Sequence, residues 1–223
     1  MTIKPAGDRA LTVEFENEIS EETNRKVLSL NRKLKALAVP ALLETVPSYR
    51  ALLIYYDPEI MCFGKMKRIV KTADSKVPEK ETEHGKTVHI PVCYGGEYGE
   101  DLADVAGVAK LSEEEVIRIH SSGTYRIYML GFLPGFPYLG GMDKRIAAPR
   151  LQIPRVKIPA GSVGIGGAQT GIYPAASPGG WRLIGRTPLK LYDPEKTPAV
   201  PYDAGDFIHF DPITPEEFKE YSE

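Results

Sequence analysis

The sequence has little cysteine, no long apolar run and almost no net charge. Its 223 residues hold two cysteines, Cys62 and Cys93, in apolar contexts and without CxxC spacing. We predict buried thiols in a reducing cytoplasm, with a disulfide as the less favoured alternative. No stretch approaches the roughly 20 apolar residues that cross a bilayer, and the start, MTIKPAGDRALTVEF, lacks the layout of a secretion signal. The formal net charge of −2 gives no electrostatic reason to bind nucleic acid.

Several catalytic motifs are also missing. The phosphate-binding pattern GxxxxGK[ST] does not occur, and no GxSxG elbow is present. The nearest approach to GxGxxG, from Gly164 to Gln169, lacks its last glycine and follows no strand-to-helix pattern. The sequence therefore predicts no dinucleotide fold. It also predicts no metal site, because no metal-ligand spacing relates the four histidines, which are His84, His89, His120 and His209.

The first third of the chain has the periodicities of a small α/β unit. The strand-like segments are Arg9–Phe15, Leu42–Val46 and Ala51–Tyr56. One helix is predicted after Ser20 and a second over Glu59–Ala73. The order strand, helix, strand, strand, helix predicts an α+β two-layer sandwich over residues 1–78. The predicted inward side chains of the helices are Val27, Leu30, Leu34 and Leu37, and Ile60, Phe63, Ile69 and Val70.

A polar segment, DSKVPEKETEHGK, follows this unit, and its residues 79–86 are the predicted linker. Further on, Ser112 and Glu115 match a capping box, which predicts a short helix through Ser121. The rest is short strands punctuated by Gly and Pro, so residues 87–223 are predicted to form a mainly-β sandwich or barrel. The strand-like segments are Val88–Val92, Tyr125–Leu130, Ser162–Ala168, Trp181–Gly185, Leu189–Tyr192 and Phe207–Phe210.

The segment MLGFLPGFPYLGG, from Met129 to Gly141, alternates aromatic rings with prolines and glycines. Because proline fixes φ and removes a donor, we predict a rigid loop rather than a central strand. Its rings either fill the core or form a preformed apolar wall for a ligand or partner. The candidate wall consists of Phe132, Pro134, Phe136 and Tyr138, together with Tyr173 and Trp181 further along the chain.

The next segment, APRLQIPRVKIPAGS, carries prolines at regular intervals and two arginines that each follow a proline, Arg150 and Arg155. Regular proline favours an extended chain, which gives the arginines fixed directions. A guanidinium fork binds carboxylate or phosphate well. The segment is therefore either an anion-binding element or a solvated edge strand.

The stretch Gly161–Trp181 has 21 uncharged residues and seven glycines. Its apolar side chains need burial, so it is folded rather than a linker. Glycine then permits turns with positive φ and close approach of the main chain. The segment is either a surface for an amide or oxyanion or tight barrel packing. The candidate binding residues are Ser162, Gly166, Gly167, Gln169, Thr170 and Gly171, with Arg186 beyond them.

These segments together resemble the family called allophanate hydrolase subunit 1, which includes the antikinase KipI and the B subunit of bacterial 5-oxoprolinase. GFLPGFPYLGG, the two PR pairs, IPAGSVGIGGAQTGIYP and SPGGWRLIGRTP carry the resemblance, which extends along nearly the whole chain. One departure is Leu151, where PRR is expected, and it weakens an anion role at that position. The resemblance implies a small α/β domain followed by a cyclophilin-like β-barrel.

The resemblance further implies a protein with little activity of its own. Together with an A subunit and a KipA-like C subunit, it would convert 5-oxo-L-proline to L-glutamate at the expense of ATP. The ATP would be bound by this chain or by a partner subunit. Arg150 or Arg155 would hold a carboxylate or phosphate, the Gly166–Gly171 loop would contact the amide, and His120 would assist proton transfer. The alternative is an antikinase that binds a sensor histidine kinase. A prolyl isomerase is disfavoured, because a barrel alone does not fix function.

Overall fold

A computed structural model describes residues 1–75 and 85–221. The chain divides into two compact units, Met1–His84 and Gly85–Glu223. The predicted linker, residues 79–86, lies outside the described residues except for Gly85 and Lys86.

The first unit is a four-stranded antiparallel sheet with two helices. The sheet order is β1-β2-β4-β3, and β1 is the one strand of this sheet that the sequence patterns did not predict. One apolar cluster joins the sheet to the helices, as expected for a two-layer sandwich. The elements are β1 (Thr2–Pro5), β2 (Ala10–Glu14), α1 (Glu21–Ala36), β3 (Leu42–Pro47), β4 (Ala51–Tyr56) and α2 (Phe63–Ser75).

Helix α1 forms where its cap and its apolar stripe predict. The Ser20 hydroxyl accepts a hydrogen bond from the Thr23 amide at 3.2 Å. Val27, Leu30 and Leu34 are completely buried or nearly so. The stripe ends before Leu37, which is exposed beyond the last turn.

Helix α2 begins later than predicted. Its first residue is Phe63, so Ile60 lies outside the helix and is exposed, contrary to the prediction. Met66, Val70 and Ala73 form its buried face. The sequence had also predicted two buried thiols, but Cys62 is exposed and only Cys93 is buried. Both are free cysteines.

The second unit is a closed seven-stranded barrel, which confirms the mainly-β barrel. The order is β10-β7-β6-β13-β5-β12-β9, and β8 and β11 form a separate two-stranded ribbon. Strands β13 and β5 pair in parallel. The strands are β5 (Thr87–Tyr94), β6 (Thr124–Leu130), β7 (Pro137–Gly140), β8 (Arg155–Ile158), β9 (Ser162–Gly166), β10 (Gln169–Ile172), β11 (Ser177–Gly179), β12 (Arg182–Arg186) and β13 (Phe207–Ile213).

Three short α-helices accompany the barrel within residues 85–221: α3 (Leu102–Ala109), α4 (Glu113–Ser121) and α5 (Pro215–Glu220). Helix α4 confirms the predicted capping box, since Ser112 and Glu115 each bond the other's backbone amide. Its buried side chains, Val116 and Ile119, belong to the apolar core of the barrel. Helix α3 was not predicted.

Two predictions about the strands were wrong. Part of the aromatic segment is β7, which lies between β6 and β10 in the barrel. Proline is tolerated there because Pro137 is the first residue of the strand. The segment Leu189–Tyr192 is not a strand, although Leu191 is buried in the core.

Candidate functional site

Three glycines form a flat bed on one face of strands β9 and β10. Val163 and Ile165 point into the barrel core, so Gly164 and Gly166, which alternate with them, face the other side. A Cβ at Gly166 would lie 2.5 Å from the indole of Trp181, and one at Gly171 would lie 3.1 Å from it. These glycines therefore exist to let a large ring lie against the sheet. Of the two interpretations of the glycine-rich stretch, tight packing is the one that the structure supports here.

A cluster of aromatic rings lies on this bed. Phe136, Tyr173 and Trp181 are each at most 5% exposed and form an apolar cluster with Ile158 and Leu183. Phe136 meets Tyr173 and Trp181 edge to face, at centroid distances of 5.1 and 5.5 Å. Of the predicted wall, these three rings are therefore core residues.

The remaining wall residues line the outer edge of the cluster. Phe132 is 62% exposed and contacts Phe136 edge to face at 5.7 Å. Its φ of 64° is unusual for a residue with a bulky side chain. Tyr138 is half-buried and Pro134 is exposed. The part of the wall that a ligand can reach is this edge.

Arg150 lies over the exposed side of the same cluster. Its guanidinium carbon is 5.7 Å from the centre of the Trp181 ring, a cation–π contact. Burial raises the pKa of the Tyr138 and Tyr173 hydroxyls, and the nearby positive charge of Arg150 opposes that rise at both. Among residues 1–75 and 85–221, no carboxylate lies within ion-pair distance of Arg150. The side chain is exposed, so its fork is accessible to an anion.

Arg155 is held in a different way. Its Nη1 and Nη2 atoms donate to the two carboxylate oxygens of Asp101 at 2.9 and 2.8 Å, and its Nε lies 3.0 Å from Glu100. The hydrogen bonds to Asp101 are the main reason that the pKa of Arg155 is raised. Asp101 is buried and also accepts the Leu183 amide at 2.6 Å. The sequence left Arg150 and Arg155 as equal candidates for anion binding, and the structure uses Arg155 to fix β8 against β12.

The predicted amide-binding residues are mostly engaged within the protein. Ser162 and Thr170 are buried in strands, and Gly167 donates its amide to the Ala148 carbonyl at 2.8 Å. Arg186 donates from Nε to the Ala160 carbonyl at 3.1 Å. Gln169, at the start of β10 opposite Gly166, is partly exposed. The expectation of a loop of bare amides is corrected: these glycines serve turns and ring packing.

His120 is completely buried in the barrel core. The Tyr94 hydroxyl bonds its Nδ1 at 2.8 Å, and its Nε2 bonds the Thr170 hydroxyl at 2.8 Å. Because that hydroxyl donates to the Gly164 carbonyl at 3.1 Å, we assign the ring proton to Nε2. Burial lowers the pKa of His120 to about 3, and its ring stacks on Phe210 at 4.6 Å. This is a neutral structural histidine without access to a substrate, which corrects its assignment as a proton-transfer residue.

Asp101 could not be identified from the sequence, because its partners lie 54 and 82 residues away. A search of residues 1–75 and 85–221 finds no cluster of three or more His, Cys, Asp or Glu that could hold a metal ion. It also finds no helix long and apolar enough to span a membrane. Within the described chain, the strongest candidate site is thus the Arg150–Trp181 corner, with Tyr138, Phe132 and Gln169 beside it.

Comparison with known proteins gives one consistent result. The model of the carboxyltransferase domain, subdomain C and D, matches residues 1–202. A protein from Bacillus subtilis (strain 168), named as the B subunit of 5-oxoprolinase, is 44% identical, over 99% of this chain and 96% of its own. Proteins of the same name from Escherichia coli O157:H7 and Haemophilus influenzae are 39% and 38% identical, over 92% and 94% of this chain. These relatives confirm the resemblance noted in the sequence.

Solved structures share the fold. The chain TTHA0988 superposes with a TM-score of 0.82 at 38% identity, over 92% of this chain but only 40% of TTHA0988. PH0987 from Pyrococcus horikoshii is 50% identical with a TM-score of 0.59, over 97% of this chain and all of its own. The urea carboxylase of Kluyveromyces lactis, at 21% identity and a TM-score of 0.78, matches over 98% of this chain and 22% of its own. That last likeness concerns the fold alone.

Proposed function

The chain belongs to the family of the carboxyltransferase domain, subdomain C and D, and on that premise we propose that it is the B subunit of an ATP-dependent 5-oxoprolinase. The complex would convert 5-oxo-L-proline, ATP and water to L-glutamate, ADP and phosphate. Similarity over almost the full length to three proteins of that name supports the proposal. The antikinase alternative is not favoured, because these relatives carry the 5-oxoprolinase name.

The site assignment depends on the exposure and the contacts of Arg150. Its guanidinium is accessible, lies against Trp181 and has no carboxylate partner among the described residues. 5-Oxoproline has one carboxylate, one lactam N–H, one lactam carbonyl and a small apolar ring. In our proposal the fork of Arg150 binds the carboxylate, while Phe132, at the exposed edge of the cluster, contacts the ring methylenes. The lactam would be hydrogen-bonded by Tyr138, whose ring centre is 6.3 Å from that of Trp181, and by Gln169, which pairs with Gly166 on β9.

In our proposal the groups that activate the lactam carbonyl belong to a partner subunit. Amide resonance makes the lactam carbonyl a poor electrophile, so coupling to ATP is reasonable. His120 is neutral, buried and fully hydrogen-bonded, so it takes no part in our proposal. We place the nucleotide on a partner protein or at an interface shared with one. The chain then acts as a binding subunit in the cytoplasm, with little activity alone.

Reconstitution with candidate A and C subunits tests this proposal. Glutamate release and ATP hydrolysis are measured for the wild type, Arg150→Ala, Arg150→Lys and the control Arg145→Ala, whose exposed arginine pairs with Asp143. We expect Arg150→Ala to lower kcat/KM by about 10- to 100-fold, the range for losing a charge-assisted hydrogen bond. Arg150→Lys should recover only part of the loss, because lysine lacks the planar fork.

One outcome would contradict the site assignment, and another would contradict the proposed dependence on partner subunits. Full activity of Arg150→Ala would remove Arg150 from the site while leaving the proposed role in the complex intact. Glutamate release by the purified chain with ATP and no partner would overturn its dependence on other subunits.

A further inference from the structure

Three large apolar side chains around the candidate site are strongly exposed. Phe132, Ile153 and Val156 are 62%, 85% and 89% exposed, and we call them the apolar rim. Single exposed apolar residues are common on protein surfaces, but a group of them marks an interaction surface. These three border one structural feature, the buried cluster of Phe136, Tyr173 and Trp181.

A ring contact places Phe132 beside that cluster, and neighbours along the chain place Ile153 and Val156 near it. Phe132 meets Tyr173 edge to face at 6.4 Å. Ile153 follows Leu151, whose amide donates to the Gly180 carbonyl at 2.7 Å, next to Trp181. Val156 lies in β8, two residues before Ile158, which is buried in the cluster.

The backbone that carries the rim is fixed in advance. Prolines stand at 149, 154 and 159, and Asp101 clamps Arg155 with two hydrogen bonds. Phe132 is held at a φ of 64°, a strained value of the kind found at functional sites. Of the strands in the described chain, only β11 pairs with β8, so the other edge of β8 is open. A surface ordered before binding loses little entropy when a partner docks.

The chain around the rim carries accessible positive charge beside carboxylates that are already paired, Glu100 and Asp101 with Arg155 and Asp104 with Arg182. Residues 144–157 contain five basic and no acidic side chains. Arg145 and Arg155 are paired with carboxylates, whereas Lys144, Arg150 and Lys157 have no carboxylate at ion-pair distance in the part of the chain described. A complementary partner therefore presents apolar side chains together with Asp or Glu.

The relatives indicate which partner this is. TTHA0988 contains the fold of this chain as 40% of a longer polypeptide, so most of its chain is additional protein. PH0987 is matched over its whole length and is a shorter form. A surface that additional protein covers within one polypeptide would be exposed when the two parts are separate chains.

We propose that the apolar rim is the docking surface for the partner protein that corresponds to the rest of TTHA0988. The partner lays an acidic, apolar segment along the open edge of β8 and closes the Arg150–Trp181 corner from outside. This inference rests on the proposed function, since it assigns the surface through which the B subunit joins its complex.

The test measures binding separately from catalysis. Binding of the purified C subunit to the wild type, Ile153→Asp and Val156→Asp is followed by titration calorimetry and gel filtration at 50 and 300 mM NaCl. We expect each substitution to weaken binding at least 10-fold, and salt to weaken binding of the wild type. Val108→Asp, on α3, is the matched control, because Val108 is 49% exposed and is not part of the rim. Circular dichroism verifies the fold of every variant.

The outcomes separate the two proposals. Unchanged binding by Ile153→Asp and Val156→Asp would overturn the docking surface even if the wild-type complex releases glutamate. A wild-type complex that forms through the rim but releases no glutamate would refute the proposed function and leave the docking surface standing. A wild type that dimerises alone, with both variants monomeric, would show that a second copy covers the rim and would overturn the choice of partner.

Discussion

Replacing Gly166 with alanine tests whether the glycine bed exists to seat Trp181. The new Cβ would lie 2.5 Å from the indole Nε1 and Cε2 atoms, closer than non-bonded carbon atoms approach. The ring cannot retreat freely, because Phe136 and Tyr138 contact it at centroid distances of 5.5 and 6.3 Å. Overpacking of this kind costs about 1–3 kcal/mol. We expect Gly166→Ala to lower the free energy of unfolding by that amount.

Trp181 is the only tryptophan in the sequence, so its fluorescence reports on this location alone. Urea denaturation of wild type and variant, followed at the tryptophan emission, gives the difference in stability. Gly107→Ala is the control. It lies in α3 with nothing within 4 Å of the new Cβ, and it should stabilise the unit by up to about 1 kcal/mol.

A double variant sharpens the test. If the loss comes from the clash, Gly166→Ala should cost much less when Trp181 is replaced by the smaller Phe, a coupling that thermal unfolding by circular dichroism can measure. Equal stability of Gly166→Ala and Gly107→Ala would refute the reasoning that the glycines exist to make room for the ring.

Three other substitutions or reactions have expected outcomes. The pKa of His120 is about 3 in the folded state and 6.5 ordinarily, so between these values only the unfolded chain binds a proton at this residue. The free energy of unfolding should therefore be unaffected by the titration of His120 above pH 6.5 and should fall as the pH falls, by about 2 kcal/mol at pH 5. Urea titrations should show this pH dependence reduced in His120→Gln. Arg155→Ala should lower the free energy of unfolding by about 2–4 kcal/mol, since it leaves a buried carboxylate unpaired. Arg150→Ala should lower it by no more than about 1 kcal/mol, the value of an exposed cation–π contact; thermal unfolding distinguishes them. Ellman's reagent should react with Cys62 much faster than with Cys93. Cys62 is exposed and backbone amides, first that of Lys65, lower the pKa of its thiol, whereas burial raises the pKa of the Cys93 thiol. Equal rates of reaction would contradict this.

Local patterns in the sequence predicted the elements that depend on local physics. The helix after Ser20, the two strands β3 and β4 and the Ser112 capping box each involve residues close in the chain, and all are present. Proline was given too much weight at Pro137, because it disrupts a strand interior but not the first position.

The candidate site was only partly predictable, because it depends on residues that are far apart in the sequence. Arg155 matches Arg150 in its local sequence, and only Asp101, 54 residues away, distinguishes a structural arginine from an accessible one. The glycines could be interpreted as a binding loop or as packing until the position of Trp181 was known. The exposure of Ile153 likewise depends on which strands lie beside it, and local sequence does not determine that.

The parallel pairing of β5 with β13 has a consequence for synthesis of the chain. It joins Thr87–Cys93, near the start of the second unit, to Phe207–Ile213, near its end. The barrel therefore cannot close until residue 213 has emerged from the ribosome tunnel, whereas the described strands and helices of the first unit all lie within residues 1–75. Nascent chains arrested before β13 should hold an open, protease-sensitive second half behind an already folded first one.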